Sequence, residues 1–225
     1  MLKLLYSSLL VVCCLQVVAQ VNQRDSLRAI RKPTGLRIGT DLIALGKTIA
    51  QQPLQSWEVT ADVDLGRYYP IVEAGKWSRE ATLTNGVYTN EGQYYRLGVD
   101  INFLLKDPDK NMFFLGMRYG RAQYSERVVY SIAPQLFPVV EQAVANTDAA
   151  AGWIELTTGL RVKIWRGFWM GYTGRMKFAP HTTGTSGFDS YDIPGFGLPF
   201  KGLYWGFNYQ VFWRIPFKKK SSNVD

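Results

Sequence analysis

Thiols are nearly missing from this 225-residue chain: Cys13 and Cys14 stand side by side near its start, and no cysteine follows. That excludes disulfide cross-links, thiolate metal sites and thiol catalysis from everything beyond residue 14. Histidine is as scarce, with His181 as the single copy, so a histidine-rich metal centre cannot be assembled. Long apolar runs are rare as well. With 47% hydrophobic and 20% charged residues and a mean hydropathy of -0.11, the chain lacks the several runs of roughly 18 or more apolar residues that a helical membrane bundle needs. The one such run, Leu4 to Ala19, follows Lys3 and ends in Val17-Val18-Ala19. It reads as a signal peptide over residues 1–19, cut near Ala19, which places the rest outside the cytoplasm. Val12 ahead of Cys13 argues against lipid attachment there. No phosphate-binding glycine loop, zinc spacing or nucleotide motif occurs, so neither cofactor nor metal is expected.

What is present is alternation. From Leu203 to Phe217 every second residue is apolar (Leu203, Trp205, Phe207, Tyr209, Val211, Trp213, Ile215, Phe217), with Gly206, Asn208, Gln210 and Arg214 between them. The same period of two marks Tyr95 to Leu105, Phe113 to Tyr119, Ile154 to Ile164 and Phe168 to Phe178. Leu36 to Ala44, Trp57 to Leu65 and, more faintly, Ile71 to Ser78 complete eight strands. Connections alternate in length: 47–54, 79–92, 125–150 and 179–200 are long, whereas 66–70, 106–110 and 165–167 are tight. An even number of strands joined by short turns on one side and long loops on the other predicts an all-β, eight-stranded antiparallel transmembrane β-barrel of the outer-membrane type over residues 34–217. A periplasmic segment at 20–33 and a basic tail at 218–225 would flank it. A secreted β-sandwich would alternate too, but its strands usually run about 5–6 residues, and these continue for about 10–16. Tyr94-Tyr95, Trp153, Trp165, Trp169, Tyr204-Trp205 and Trp213 fall near strand ends, where rings would lie at a lipid–water boundary.

The polar face would line the lumen. It carries Arg37, Arg96, Arg118, Arg161, Lys163, Arg175, Lys177 and Arg214 with Asp41, Glu58, Asp62, Asp64, Glu73, Asp100 and Glu155. An eight-stranded barrel has room only for its own side chains, so this near-balanced set predicts a paired, hydrogen-bonded plug in place of a channel. Glu58, Asp62 and Asp64 share a strand face and could be read as a catalytic carboxylate cluster, but so many arginines nearby favour ion pairing. An enzyme of the lipid-modifying kind would need a histidine base beside a serine nucleophile. His181 lies at the start of a loop that also holds Ser186, Asp189, Ser190 and Asp192. A loop rich in Gly, Thr and Ser cannot preorganise a triad as strand positions can, so no catalytic residue is assigned. A lipid A-modifying enzyme using His181 and a narrow pore remain the alternatives.

Under this topology the excess charge collects on the turn side. Arg24, Arg28, Arg31, Lys32, Arg67, Lys106, Lys110, Arg166 and Lys218, Lys219 and Lys220 face only four acids there, whereas the lumen and the external side are close to neutral. This basic periplasmic face suits anionic headgroups or an acidic periplasmic protein; nucleic acid would have no access. On the external side, Leu136, Phe137, Val139 and Val140 make an apolar loop, matched by Ile193, Pro194 and Phe196 in the last loop. Two expectations stay open for them: the fifth and sixth strands extending above the membrane and packing on the loop from Tyr191 to Gly197, and a patch for other envelope proteins.

The stretches "GLRIGTDL" from Gly35, "YYRLGVDINF" from Tyr94, "FLGMRYGRAQYSE" from Phe114, "YDIPGFG" from Tyr191 and "GFNYQVFWRIPF" from Gly206 resemble a poorly characterised family of small outer-membrane β-barrel proteins from Bacteroidota. The resemblance implies an outer-membrane location and an accessory role beside protein assembly or secretion machinery. It transfers no catalytic residue. One departure is the eight residues after Phe217, since a terminal aromatic usually closes such chains.

Overall fold

A computed structural model of the chain describes residues 33–50, 53–132 and 140–217. The expected signal peptide, most of the expected periplasmic segment and the tail from Lys218 lie outside the described residues. In chain order the elements are β1 (Gly35–Asp41), α1 (Leu42–Ile49), β2 (Leu54–Val63), β3 (Tyr68–Leu83), β4 (Gly86–Asn102), β5 (Met112–Ile132), β6 (Val140–Trp165), β7 (Phe168–Thr183), a single 3₁₀ turn (Pro199–Lys201) and β8 (Leu203–Pro216). Each strand pairs antiparallel with the next. β8 returns to β1, with Ile38 opposite Trp213, so one sheet closes in a ring. The all-β expectation holds.

Tight turns draw their shape from local chemistry. Between β2 and β3 the chain reverses at Gly66, whose φ of 87° suits glycine and whose N–H donates to Asp64 Oδ1 at 2.9 Å. Arg166, also at positive φ, reverses β6 into β7 with its guanidinium 5.4 Å from the Trp165 ring centre. The loop before β5 is pinned by Asp107 Oδ1, which accepts from the N–H groups of Asp109 and Asn111.

Three expectations need correction on the opposite side. The segment 79–92 is not a loop: β3 and β4 continue to Leu83 and Gly86 and are joined by Thr84 and Asn85 alone. Likewise 125–150 is not a loop: β5 and β6 run on as a long hairpin, the extension expected as one of two alternatives for this segment, leaving only 133–139, outside the described residues, between them. These arms lose the apolar outer face, so their sequence no longer alternates although their backbone still does. The first strand also stops at Asp41, not Ala44, because the Asp41 side chain accepts the Ile43 N–H at 3.0 Å and caps α1, which takes in the end of the expected strand and runs into the expected loop as far as Ile49.

Burial follows the strand period and is inverted relative to a water-soluble core. Along β5, Phe114, Arg118, Ala122 and Tyr124 are buried, whereas Phe113, Leu115, Met117 and Tyr119 are exposed. Among the described residues, buried polar and charged side chains outnumber buried apolar ones, and the exposed set includes Leu97, Ile154, Ile164, Trp205 and Phe207. Glycines on the inner face make room for this filling: a Cβ on Gly116 would lie 2.1 Å from Asp100 Oδ1, and one on Gly120 would lie 2.3 Å from the Trp153 ring.

Candidate functional site: a charged interior under a folded loop

Inward positions of seven strands, β1 to β7, build a two-layer ion network. Nearer the tight turns, Arg37 of β1 donates through Nε to Asp62 of β2 at 2.8 Å, and Arg161 of β6 reaches both Asp62 and Asp100 of β4 at 2.9 Å. Arg118 of β5 donates through Nη2 to both Asp100 oxygens at 3.1 Å. Aromatic faces support the cations: Arg37 lies 4.6 Å from the Tyr69 ring centre, and Arg161 lies 4.7 and 4.8 Å from those of Phe114 and Phe212. A Met112 sulfur takes a further Arg37 N–H at 3.0 Å.

The second layer sits farther from the turns. Arg96 meets Glu58 at 2.7 Å, Glu155 at 2.9 Å and Glu73 at 3.0 Å, and Arg175 meets Glu73 and Glu155 at 2.8 and 2.9 Å. Tyr94 donates its hydroxyl proton to Glu58 at 2.8 Å, while Trp153 donates its indole N–H to Glu155 at 2.7 Å. Arg118 lies 3.4 Å from Glu73 and links the layers. All these groups are withdrawn from water, so their desolvation is costly and is offset only by dense pairing. Each carboxylate in the network is held by at least one arginine, which leaves none of the Glu58, Asp62 and Asp64 set free as an acid–base pair. Asp64 is instead at the turn end, accepting from Thr34 at 2.5 Å and pairing with Arg214 at 3.2 Å. Burial alone would raise its pKa. The Thr34 and Gly66 hydrogen bonds and the charges of Lys110 and Arg214 outweigh that and lower it.

The last loop closes the other end. Ile193 and Phe196 are fully buried with Trp153 and Tyr94, and Gly195 turns at φ 78° against the Tyr94 ring. Its backbone is fastened by side chains from below, with Arg96 donating to Gly195 O at 2.9 Å and Lys177 to Gly195 O and Phe196 O at 2.7 and 3.0 Å. Above it, Asn90 donates to Asp192 O at 2.7 Å, and Arg79 pairs with the Asp192 carboxylate. A second polar knot joins Glu126 to Tyr88, Asn146 and Ser190 at 2.8 to 3.0 Å.

Of the expected lumen set, Arg37, Asp41, Glu58, Asp62, Asp64, Arg96, Asp100, Arg118, Glu155, Arg161, Arg175 and Lys177 are buried inside the ring. Lys163 and Arg214 are only half-buried, and Lys163 pairs outward with Asp109 at 2.6 Å. In the expected partner patch, Leu136, Phe137 and Val139 lie outside the described residues and Val140 is exposed. Ile193, Pro194 and Phe196 are buried in the loop plug, so they offer no outer surface. On the turn side Lys106 and Arg166 are exposed, Arg67 is half-buried and Lys110 lies 3.6 Å from Asp64. His181 is exposed on β7 opposite Gly152, whereas Ser190 is engaged with Glu126 and Tyr124 and Asp192 with Arg79. The Tyr88–Glu126–Asn146 knot was missed, although the inner-face period does run from Tyr94 back to Asn90 and Tyr88 and from Tyr124 on to Glu126.

A family model described as a domain of unknown function, DUF6048, matches residues 1–220. The chain belongs to this family. Neither the curated proteins nor the solved structures contain a match to it. The DUF6048 match spans every strand of the ring, so the ion network and its loop plug both fall inside the family's own boundaries.

Proposed function

We propose that the protein is an outer-membrane β-barrel with a sealed polar lumen, serving without catalysis as a structural or accessory subunit of an envelope complex such as protein assembly or secretion machinery. The observation that carries the membrane part is the inversion of the ring: a belt of exposed Leu, Ile, Phe, Trp and Met surrounds a charged interior. In water such a belt would drive aggregation, whereas in a bilayer it is the ordinary outer face of a barrel. The signal peptide reading and the aromatic strand ends agree with export to the outer membrane. The plug supports a lumen sealed along its axis over a narrow pore, since the network and the Ile193–Phe196 loop block the way from one end to the other. The accessory role rests on the basic turn side, where Lys106 and Arg166 are exposed, and on the absence of a triad around His181 among the described residues.

The test is fractionation of cells carrying a tagged copy, followed by gentle solubilisation and mass spectrometry of what co-purifies. Recovery in the outer-membrane fraction with heat-modifiable gel mobility, together with stoichiometric envelope partners, is expected. Recovery in the soluble fraction would remove the barrel in the membrane, and recovery of the barrel alone would remove the complex. A lipid A profile changed by His181→Ala would revive the enzyme.

A further inference from the structure

The ring has a side window. β1 pairs with β2 only as far as Thr40 opposite Val59, and with β8 only as far as Asp41 opposite Gln210. Beyond those points Leu54–Glu58 of β2 and Leu203–Tyr209 of β8 have no described strand between them. Helix α1 lies there instead. It is clasped to β2, where Thr48 Oγ1 donates to Ser56 O at 2.8 Å and accepts from Ser56 N at 3.0 Å. On the β8 side, the ties come from the cap: Asp41 accepts from Asn208 Nδ2 at 2.6 Å and from Tyr209 N at 3.2 Å. A cleft of about 1400 Å³ runs from the α1–β8 gap inward to Glu58 and Lys177.

The lining changes character along this path. At the outer wall Ile43, Trp205 and Phe207 are exposed on the apolar belt; farther in, the partly buried Trp77 and Tyr204 bring aromatic rings against the loop-plug cluster, with the Tyr204 ring centre 5.6 Å from Lys177 Nζ. The cations deep in the cleft wall are already committed, Arg79 to Asp192, Arg96 to three glutamates and Lys177 to two loop carbonyls, and the remaining cation of the described lining, Lys47 of α1, is exposed at the mouth. What remains unfilled is different. Glu58 Oε1, Asp192 Oδ1 and the Trp77 indole N–H are buried without a hydrogen-bond partner, and all three residues line this cleft. Two carboxylate oxygens without a hydrogen bond, of which Glu58 Oε1 has only a 3.7 Å ion-pair contact to Arg175, and one unbonded donor disfavour a phosphate in the inner cleft and match neutral hydroxyl groups, which donate and accept at once; aromatic rings in the same lining suit the apolar faces of a sugar.

We propose that this lateral cleft binds a glycosyl group, with the headgroup of a glycolipid entering sideways through the α1–β8 gap as its source in a membrane. The lipid part rests on the membrane reading; the sugar part does not. The test uses the full-length protein in a sugar-free amine-oxide detergent and native mass spectrometry. The probes are monogalactosyl diacylglycerol, diacylglycerol with the same chains, phosphatidylglycerol and methyl β-galactoside. One galactolipid per protein is expected, with the sugar-free lipid retained at least about tenfold less and the galactoside competing. Trp77→Phe and Asp192→Asn should each weaken retention about tenfold, the scale of one hydrogen bond to a charged or buried group, while gel mobility of both variants stays native. Should Asp192→Asn fail to fold, Trp77→Phe, which removes an unbonded donor, still decides. Equal retention of diacylglycerol, preference for phosphatidylglycerol, or wild-type binding by Trp77→Phe would overturn the proposal. Binding of the galactoside without the lipid would overturn only the lateral route. A protein recovered without detergent would sink the membrane reading, and the galactoside measurement on it would still test the sugar.

Discussion

In the layer nearer the tight turns, three arginines, Arg37, Arg118 and Arg161, share two acids, Asp62 and Asp100. Cations are therefore in surplus, and the two ways of breaking one contact should differ. Arg161→Met leaves Arg37 with Asp62 and Arg118 with Asp100, two balanced pairs in a site where methionine fills most of the volume. Its cost is the loss of two charge-assisted hydrogen bonds at 2.9 Å, offset by relief of the surplus, or about 2–3 kcal/mol. Asp100→Asn leaves three guanidinium groups with Asp62 as the only carboxylate of their layer, Arg118 keeping just its 3.4 Å contact to Glu73 in the next, and underpaired buried charge of this kind costs about 3–5 kcal/mol. The double variant removes the surplus cation along with the acid, so it should be no less stable than Asp100→Asn alone. A coupling of about 2 kcal/mol should follow from the cycle. Urea unfolding in detergent micelles or lipid vesicles, followed by tryptophan fluorescence, measures all four proteins. If Arg161→Met proves more damaging than Asp100→Asn, or if the two effects simply add, the interior is hydrated enough to screen its charges and the reasoning fails.

Met117 stands outward within the apolar stretch Phe113–Tyr119 of β5 and is 66% exposed; in a bilayer, Met117→Arg should lower folding stability in vesicles by about 2–4 kcal/mol, and a change within about 0.5 kcal/mol would place that face in water. Gly195→Val should expel the plug, because a side chain there would meet the Tyr94 ring at 2.6 Å from a backbone at φ 78°; limited proteolysis should then cut between residues 184 and 198, and an uncut loop would refute the tight closure. Asp64 has its folded pKa lowered, so its contribution is fully present above the ordinary aspartate range and is lost as pH falls through the lowered value. Thermal unfolding between pH 7 and pH 2 should show this loss, and Asp64→Asn should be less stable at neutral pH while falling less steeply toward acid.

Strict alternation made β4 through β8 readable wherever one face is apolar and the other charged, as in Tyr95 to Leu105. It also named the inner face correctly for most of the ion network, since face is a property of period. Depth along the axis is not, which is why Lys163 and Arg214 fall at the turn-side rim although they share the period of Arg161 and Phe212. The arms of β3, β4, β5 and β6 were hidden for a related reason: Glu80, Thr89, Glu91 and Arg127 make the outer face polar, and a strand wet on its outer side loses the contrast that marks it. Helix α1 was concealed by its own apolar residues, Leu42, Ile43, Ala44 and Leu45, which continue the appearance of β1 until the Asp41 cap bends the backbone. The apolar Ile193-Pro194-Gly195-Phe196 loop was visible as an anomaly, but whether it packs inward or outward depends on Arg96 and Lys177 reaching its carbonyls, a relation between residues nearly 100 and 18 positions apart.

Several of the interior ion pairs do not join neighbours in the sheet. Asp62 on β2 is tied to Arg161 on β6, and Glu73 on β3 to Arg175 on β7, so these bonds run straight across the hollow from one wall to the other. In mechanical terms they are struts. A ring held only by its backbone ladder can flatten into an ellipse at little cost, because shearing neighbouring strands bends hydrogen bonds without breaking them. Flattening this ring along either diagonal must compress or rupture a charge-assisted contact, so its cross-section should stay round under the lateral pressure of whatever surrounds it.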